Sequence, residues 1–308
     1  MFRRSAHTPL SSLALLTTLA ALPTTAAAQP VVPGFAACPR GSGITNGFSI
    51  SFASDGSLFA GHEDNGGLVL AWRMSPGGSV AEPFGDTPLP DPDTSAVDTL
   101  GLVTGTPGSL VIGGVCGPGP DDGCLWRVRP DESTSVLFGP SPFIGNVLHT
   151  RFDRTGRLLF TSGVTGAVKV SSGAFPTILF TVPGAARCLA IDAGNRIYTS
   201  NTATGVISLH SAAGAVVDAS FATGFVGSIA VGPSTPEWGA DVYGIETAAT
   251  GGRLIRFRVP DGTPTVIGTG FRGSDLAFGP DNALYILHRP NPPTSLTQVL
   301  RIVPCRAN

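Results

Sequence analysis

The sequence is poor in charge. Only 13% of its residues are Asp, Glu, Lys or Arg, lysine occurs once, as Lys169, and there are 5 histidines. Disordered chains combine high charge with low hydrophobicity, so a chain that is 42% hydrophobic is not expected to be unstructured. A net charge of −2 supplies no basic field, so nucleic acid is not an expected partner. No apolar run approaches the roughly 20 residues of a membrane-spanning helix, and no membrane span is expected. A G-x-S-x-G nucleophile elbow is missing. So are Cys and His pairs at zinc spacing and a Gly-rich loop that follows a strand and opens a helix.

What is present begins with an export signal. Arg3 and Arg4 precede an apolar core from Leu13 to Leu22, and Ala26-Ala27-Ala28 offers small residues for cleavage before Gln29. That layout predicts a secretory signal peptide over 1–28 and a mature chain that is periplasmic or extracellular. The residues around the arginine pair fit a twin-arginine signal poorly, so the general export route is expected.

Cysteines in an exported chain read first as disulfides. Cys116 and Cys124 flank a Gly- and Pro-rich stretch, where a bridge would staple a loop. Cys38 and Cys305 lie near the two mature ends, where a second bridge would tie the termini. Cys188 is left over in an apolar strand pattern and is expected to be a buried thiol.

The 41 glycines and 27 prolines suit many short strands and tight turns. One pattern recurs: an apolar strand, a tight turn, a second strand, a polar loop and a third strand. It is clearest over Gly47–Trp72, Val147–Val170, Cys188–His210 and Asp275–Val303, with turns at Asp55-Gly56, Thr155-Gly156, Gly194-Asn195 and Asp281-Asn282. Two weaker copies fill the gaps. Leu100–Val115 carries its turn at Pro107-Gly108, and Ser228–Phe257 turns around Trp238-Gly239-Ala240-Asp241. A spacing of roughly 40–50 residues is that of a four-stranded propeller blade. The expected fold is therefore all-β, a single six-bladed β-propeller over 29–308 with four-stranded antiparallel blades. Their bounds are about 47–93, 94–143, 144–183, 184–225, 226–271 and 272–308.

The last copy reaches the C-terminus without an outer strand. The segment 29–46, through Val31-Val32 or the stretch near Phe35, is expected to supply it and so remove an open sheet edge. A Cys38–Cys305 bridge would lock that closure.

TNGFSISFASDGSLFAGH at Thr45–His62 and LAFGPDNALYILH with VLRIV, within Leu276–Val303, resemble repeats of the NHL and senescence-marker/gluconolactonase type. The resemblance implies a six-bladed propeller holding small ligands at one end of its channel. Similar propellers serve as lactonases, as a quinone-dependent sugar dehydrogenase, as an antibiotic lyase and as plain scaffolds, so fold alone assigns no function.

In this strand order one channel mouth gathers the entries of the inner strands and the loops between second and third strands. Entries contribute Asn46, Asp98, Asn146, His149, Arg187 and Asp275; loops contribute His62, Glu63, Asp64, Asn201, Glu246, His288 and Arg289. The ligand-binding candidates among them are His149, Arg187, Asn201, Glu246 and His288, together with Arg151. His149 and Arg151 share a strand parity and would make an anion-binding pair. Asn46, Glu63, Asn146 and Asp275 are oxygen donors suited to calcium or another divalent cation. The gluconolactonase resemblance points to the same donor types, though no counterpart to its early-strand Glu is seen. His62, Glu63 and Asp64 are consecutive and cannot all face one ligand. His210, at the end of a third strand, is expected at the surface.

The expected function is an exported monomeric scaffold that binds a small molecule, glycan or protein at the channel mouth and does not require catalysis. The alternatives are a metal-dependent lactonase or hydrolase using Asn46, Glu63, Asn146 and Asp275, and a quinone-dependent sugar dehydrogenase using His149 with Arg187.

Overall fold

A computed structural model describes residues 32–304 except 63–67, 120, 164, 226, 247–250 and 290–295. Among these residues there is no helix; the chain forms six four-stranded antiparallel sheets. The first blade is β2 (Gly47–Phe52), β3 (Leu58–His62), β4 (Leu68–Met74) and β5 (Glu82–Pro90). The second is β6 (Thr94–Asp98), β7 (Ser109–Val115), β8 (Gly123–Val128) and β9 (Thr134–Ser141). The third is β10 (Val147–Phe152), β11 (Leu158–Ser162), β12 (Ala167–Ser171) and β13 (Thr177–Thr181). The fourth is β14 (Ala186–Ile191), β15 (Ile197–Asn201), β16 (Val206–His210) and β17 (Val216–Ala222). The fifth is β18 (Gly227–Val231), β19 (Val242–Glu246), β20 (Gly252–Phe257) and β21 (Pro264–Phe271). The sixth is β22 (Gly273–Phe278), β23 (Leu284–His288) and β24 (Leu296–Pro304), whose fourth and outermost strand is β1 (Phe35–Thr45).

The inner strands β2, β6, β10, β14, β18 and β22 touch one another in sequence, and β22 touches β2, which closes the ring. Blades three apart therefore face each other across the channel: β10 faces β22 and β14 faces β2.

The repeated turns form because Asp side chains fold the backbone back on itself. Asp55 Oδ1 accepts from Ser57 N at 2.8 Å, Asp153 Oδ1 from Thr155 N at 2.9 Å, and Asp192 Oδ1 from Gly194 N at 2.8 Å. Each hairpin then needs one left-handed residue. Gly56 and Gly156 supply it at φ 88° and 82°, whereas Asn195 and Asn282 do so at φ 59°, a conformation that Asn tolerates better than most residues with a Cβ. Arg157 and Arg196 clamp Asp153 and Asp192 of the same turns at 2.7 and 2.6 Å.

The core lies between blades, where alternate strand residues interdigitate. Tyr243, Ile245 and Leu254 of the fifth blade pack on Leu284, Ile286 and Leu300 of the sixth. β1 pairs antiparallel with β24, from Phe35 opposite Pro304 to Thr45 opposite Leu296. Phe35 stacks on Trp238 with ring centroids 4.6 Å apart, so the strand also leans on the fifth blade. Val31 lies outside the described residues, and Val32 is buried ahead of the strand.

Cys116 and Cys124 are bridged between β7 and β8, with Cα atoms 5.7 Å apart. Cys188 is a buried free thiol, its pKa raised by burial. Cys38 is exposed on β1 and faces Arg301; its expected partner Cys305 lies outside the described residues.

Two expectations are corrected. Asp98 is not at a strand entry: β6 begins at Thr94, four residues before it, and Asp98 ends the strand. Its carboxylate caps the following turn, accepting from Gly101 N at 2.8 Å, Val103 N at 3.0 Å and Thr104 N at 2.9 Å. Leu100 and Leu102, which mimic a strand, are instead exposed. His210 is buried and stacked on Phe180 at 3.9 Å, because β13 of the third blade covers the strand end.

Candidate functional site

An inner strand is hydrogen-bonded on one side only, so every second residue turns its N–H and C=O towards the channel axis. Those groups need partners, and polar side chains, most of them from other blades, supply several of them. Ile50 N donates to Asp275 Oδ2 at 2.9 Å, and Leu189 N donates to His149 Nδ1 at 3.3 Å. Arg151 Nη1 donates to Thr150 O at 2.9 Å, and Ser274 Oγ to Gly47 O at 2.7 Å.

Asp275 is the hub. Its side chain is 1% exposed, and it reaches from β22 across the axis to β10. Oδ1 accepts from Ser228 Oγ and lies 3.5 Å from His149 Nε2; Oδ2 takes Ile50 N and lies 3.4 Å from Arg151 Nη2. Burial opposes the charge, but Arg151 above all, with the hydrogen bonds, holds the carboxyl below the usual carboxylate range. Burial, reinforced by Arg151, lowers the His149 pKa to about 4. Its Nδ1 is an acceptor, so the single proton of the neutral ring sits on Nε2, facing Asp275. A belt of hydroxyls joins neighbouring inner strands: Thr94 to Thr150 at 2.9 Å, and Ser49 and Ser51 to Ser95 at 3.2 and 3.1 Å.

The second crossing is nearer the strand entries. Arg187 of β14 places its guanidinium 5.2 Å from the ring centre of Phe48 on β2, the opposite blade. This cation–π contact narrows the entry end.

The expected mouth residues therefore divide. His149, Arg151 and Asp275 are brought together, with Arg187 close by; the others are committed elsewhere. Asn201 caps its own loop, Oδ1 accepting from Ala203 N at 2.9 Å and Thr204 N at 3.1 Å while Nδ2 donates to Pro183 O. Glu246 holds Arg253 across the β19–β20 loop at 2.8 and 2.5 Å, and those hydrogen bonds lower its pKa. His288 Nδ1 accepts from Arg272 N at 3.1 Å, and burial, with Arg272, lowers its pKa to about 4. Asn46 sits between β1 and β2 at φ 44°, and Asn146 precedes β10 with a buried Oδ1 that has no hydrogen-bond partner among the described residues. Glu63 and Asp64 lie outside the described residues.

No group of three or more His, Cys, Asp and Glu side chains able to hold a metal exists among the described residues. Asp275 in particular fits a cation poorly, since hydrogen-bond donors and a guanidinium already occupy both its oxygens. Ser49, Thr94, Ser95, Thr150 and Ser228 were missed in the sequence. Their one signal is small hydroxyl residues in otherwise apolar inner strands.

Open space lies at the other end, where the inner strands finish. A cavity of about 400 Å³ there is bounded by the last residues of all six, including Phe52, Val97, Phe152, Ile191, Val231 and Phe278, with Arg151 and Arg154 in its wall. The polar residues expected at the entry mouth thus lie opposite or beneath this space.

Six blades closed around a polar channel define a six-bladed β-propeller. No protein-family model matches the chain, and no curated protein matches it in sequence. A glucose dehydrogenase structure is similar with TM-score 0.65 at 15% identity, covering 88% of this chain and 100% of that one. The PQQ-bound aldose sugar dehydrogenase of Streptomyces coelicolor is similar with TM-score 0.60 at 13% identity, covering 88% and 99%. Virginiamycin B lyase from Staphylococcus aureus is similar with TM-score 0.54 at 12% identity, covering 89% of each chain. At such identities the likeness is one of fold.

Proposed function

We propose that the protein is an exported propeller that binds a small molecule at one end of its channel and requires no catalysis to do so. The observation that carries this reading is the cavity of about 400 Å³ on the axis, bounded by all six inner strands, a size within the usual range of small-molecule sites. The channel's buried carboxylate supports it: Asp275 is spent on holding blades together and offers neither a base nor a metal ligand. Export is supported by the Cys116–Cys124 bridge, a bond favoured in oxidising compartments. A thermal-shift screen of the mature protein against a metabolite library tests the reading, followed by a crystal structure with the hit. The ligand is expected on the channel axis; a ligand seated on an outer blade face overturns the reading.

A sugar dehydrogenase is the second reading, favoured by the structural neighbours. A quinone cofactor fits the described residues only in part. Arg187 could meet an acidic group at the entry end, but His149, the base such an enzyme would need, is buried with both ring nitrogens facing protein groups. Reduction of a dye by glucose in the presence of PQQ would establish this reading over the first. A lactonase is distinguished by acid release from lactones that stops on chelation.

A further inference from the structure

We propose that the end of the channel where the inner strands finish is a site for a small organic oxyanion, a carboxylate or a phosphate, held by Arg151 and Arg154. The inference rests on the proposed function and deepens it by naming an end and a charge.

The end follows from what crosses the axis. Arg187 and Phe48 narrow the entry side, and the Asp275 knot fills the middle. Beyond that knot the channel opens into the cavity of about 400 Å³. All six hairpin turns bordering this end, residues 53–57, 99–108, 153–157, 192–196, 232–241 and 279–283, are described.

Charge in the cavity wall itself is unbalanced. Three titratable side chains line the cavity: Arg151, Asp153 and Arg154. Asp153 is fully committed, since Oδ1 takes Thr155 N, Thr155 Oγ1 and Arg157 N while Oδ2 takes Arg157 Nε at 2.7 Å. Asp275 balances Arg151 from beneath at 3.4 Å. The exposed Arg154 uses its main-chain N–H on Asn195 Oδ1 at 3.1 Å, and its guanidinium forms no ion pair among the described residues. Three guanidiniums, counting Arg157, therefore meet two carboxylates. The surplus charge sits at the rim, while Arg151, 18% exposed, sits at the floor.

Backbone hydrogen-bonding groups also line this end. Ala53, Asp153, Asp192, Gly232 and Gly279 send their N–H groups into their own hairpins, to Ser57, Arg157, Arg196, Asp241 and Ala283. In an antiparallel strand the preceding residue must turn the other way. Phe52, Phe152, Ile191, Val231 and Phe278 thus aim their N–H groups at the axis. Val97 does the same, because Asp98 O accepts from Gly108 N on the hairpin side. Each of these residues turns its carbonyl to the axis as well, so the backbone offers donors and acceptors in equal number, and the two guanidiniums carry the preference for an oxyanion.

Isothermal titration on the mature protein tests this, with citrate and glycerol 3-phosphate as probes and glycerol as the neutral control. Arg154→Glu is the rim variant and Arg187→Gln the entry-end variant; a melting curve on each first shows that it folds. Expected results are binding of at least one anion, no binding of glycerol, a tenfold or greater weakening by Arg154→Glu, and no change with Arg187→Gln. Whether citrate or the phosphate wins identifies the oxyanion. Anion binding lost with Arg187→Gln but kept with Arg154→Glu overturns this site while leaving the proposed function standing. Glycerol binding as tightly as the anions has the same meaning. Failure of both anions to bind below about 1 mM overturns the site; failure of the metabolite screen as well removes the proposed function.

Discussion

His149 on the third blade and Asp275 on the sixth meet across the channel, Nε2 lying 3.5 Å from Oδ1, with both side chains almost fully buried. Arg151, two residues along the same strand, approaches the other carboxylate oxygen at 3.4 Å. A charge this deep remains ionised only because its partners come from several blades at once, and removing one partner leaves the rest uncompensated.

Asp275→Asn preserves volume and removes the charge. It is expected to cost ~3–5 kcal/mol, because Arg151 loses its counter-charge in a buried setting. The double variant with Arg151→Met is expected to recover part of that loss. Urea unfolding of the single and double variants measures the coupling; strict additivity contradicts it.

Acid sensitivity follows from the buried imidazoles. The native pKa values of His149 and His288 are about 4, against 6.5 for the free group. Between these values the unfolded chain binds the protons and the native one does not, so stability rises with pH across the window. It is expected to be fully present above pH 6.5 and to fall as pH drops towards 4, by up to ~2.7 kcal/mol per unit for two groups. Asp275, whose native pKa is depressed, adds a further loss below the ordinary carboxylate range. Urea midpoints measured against pH check the profile.

Lys169, the single lysine, is buried in the third blade. Its Nζ donates to Ile144 O at 3.1 Å and lies 5.5 and 5.9 Å from the rings of Phe143 and Phe160. Burial lowers its pKa from 10.5 to about 8. Stability contributed through this group therefore rises between pH 8 and 10.5, where only the unfolded chain holds the proton. Lys169→Met is expected to stabilise the protein at pH 7 by ~1–2 kcal/mol, the relieved desolvation outweighing one lost hydrogen bond. A lowered melting temperature would contradict this.

The Cys116–Cys124 bridge closes a short loop, with a sequence separation of 8. Replacing both cysteines by serine is expected to cost about 2–3 kcal/mol. A reductant should lower the melting temperature of the native protein and leave that of the variant unchanged.

The blade repeat was legible in the sequence because it is local. Alternating apolar residues around Asp55-Gly56 or Asp281-Asn282 specify a hairpin before any distant contact forms. Where the pattern failed, a nearby signal competed: Leu100 and Leu102 imitate a strand within the long second-blade turn, and Asp98, which looks like an entry residue, is a cap. The end of β16 reads as surface because nothing in its own stretch shows that Phe180 covers His210.

By itself, then, the sequence determined the six copies, their turns and the shortage of charge, all of which depend on neighbours within one blade. Only the tertiary structure decided which polar residues meet. Asn201 and Glu246 found partners in their own loops, whereas His149, Arg151 and Asp275 found each other because ring closure sets the third blade opposite the sixth. The open end of the channel was decided the same way. Arg187 and Phe48 come from opposite blades, and no periodicity along the chain records that they face each other across the axis.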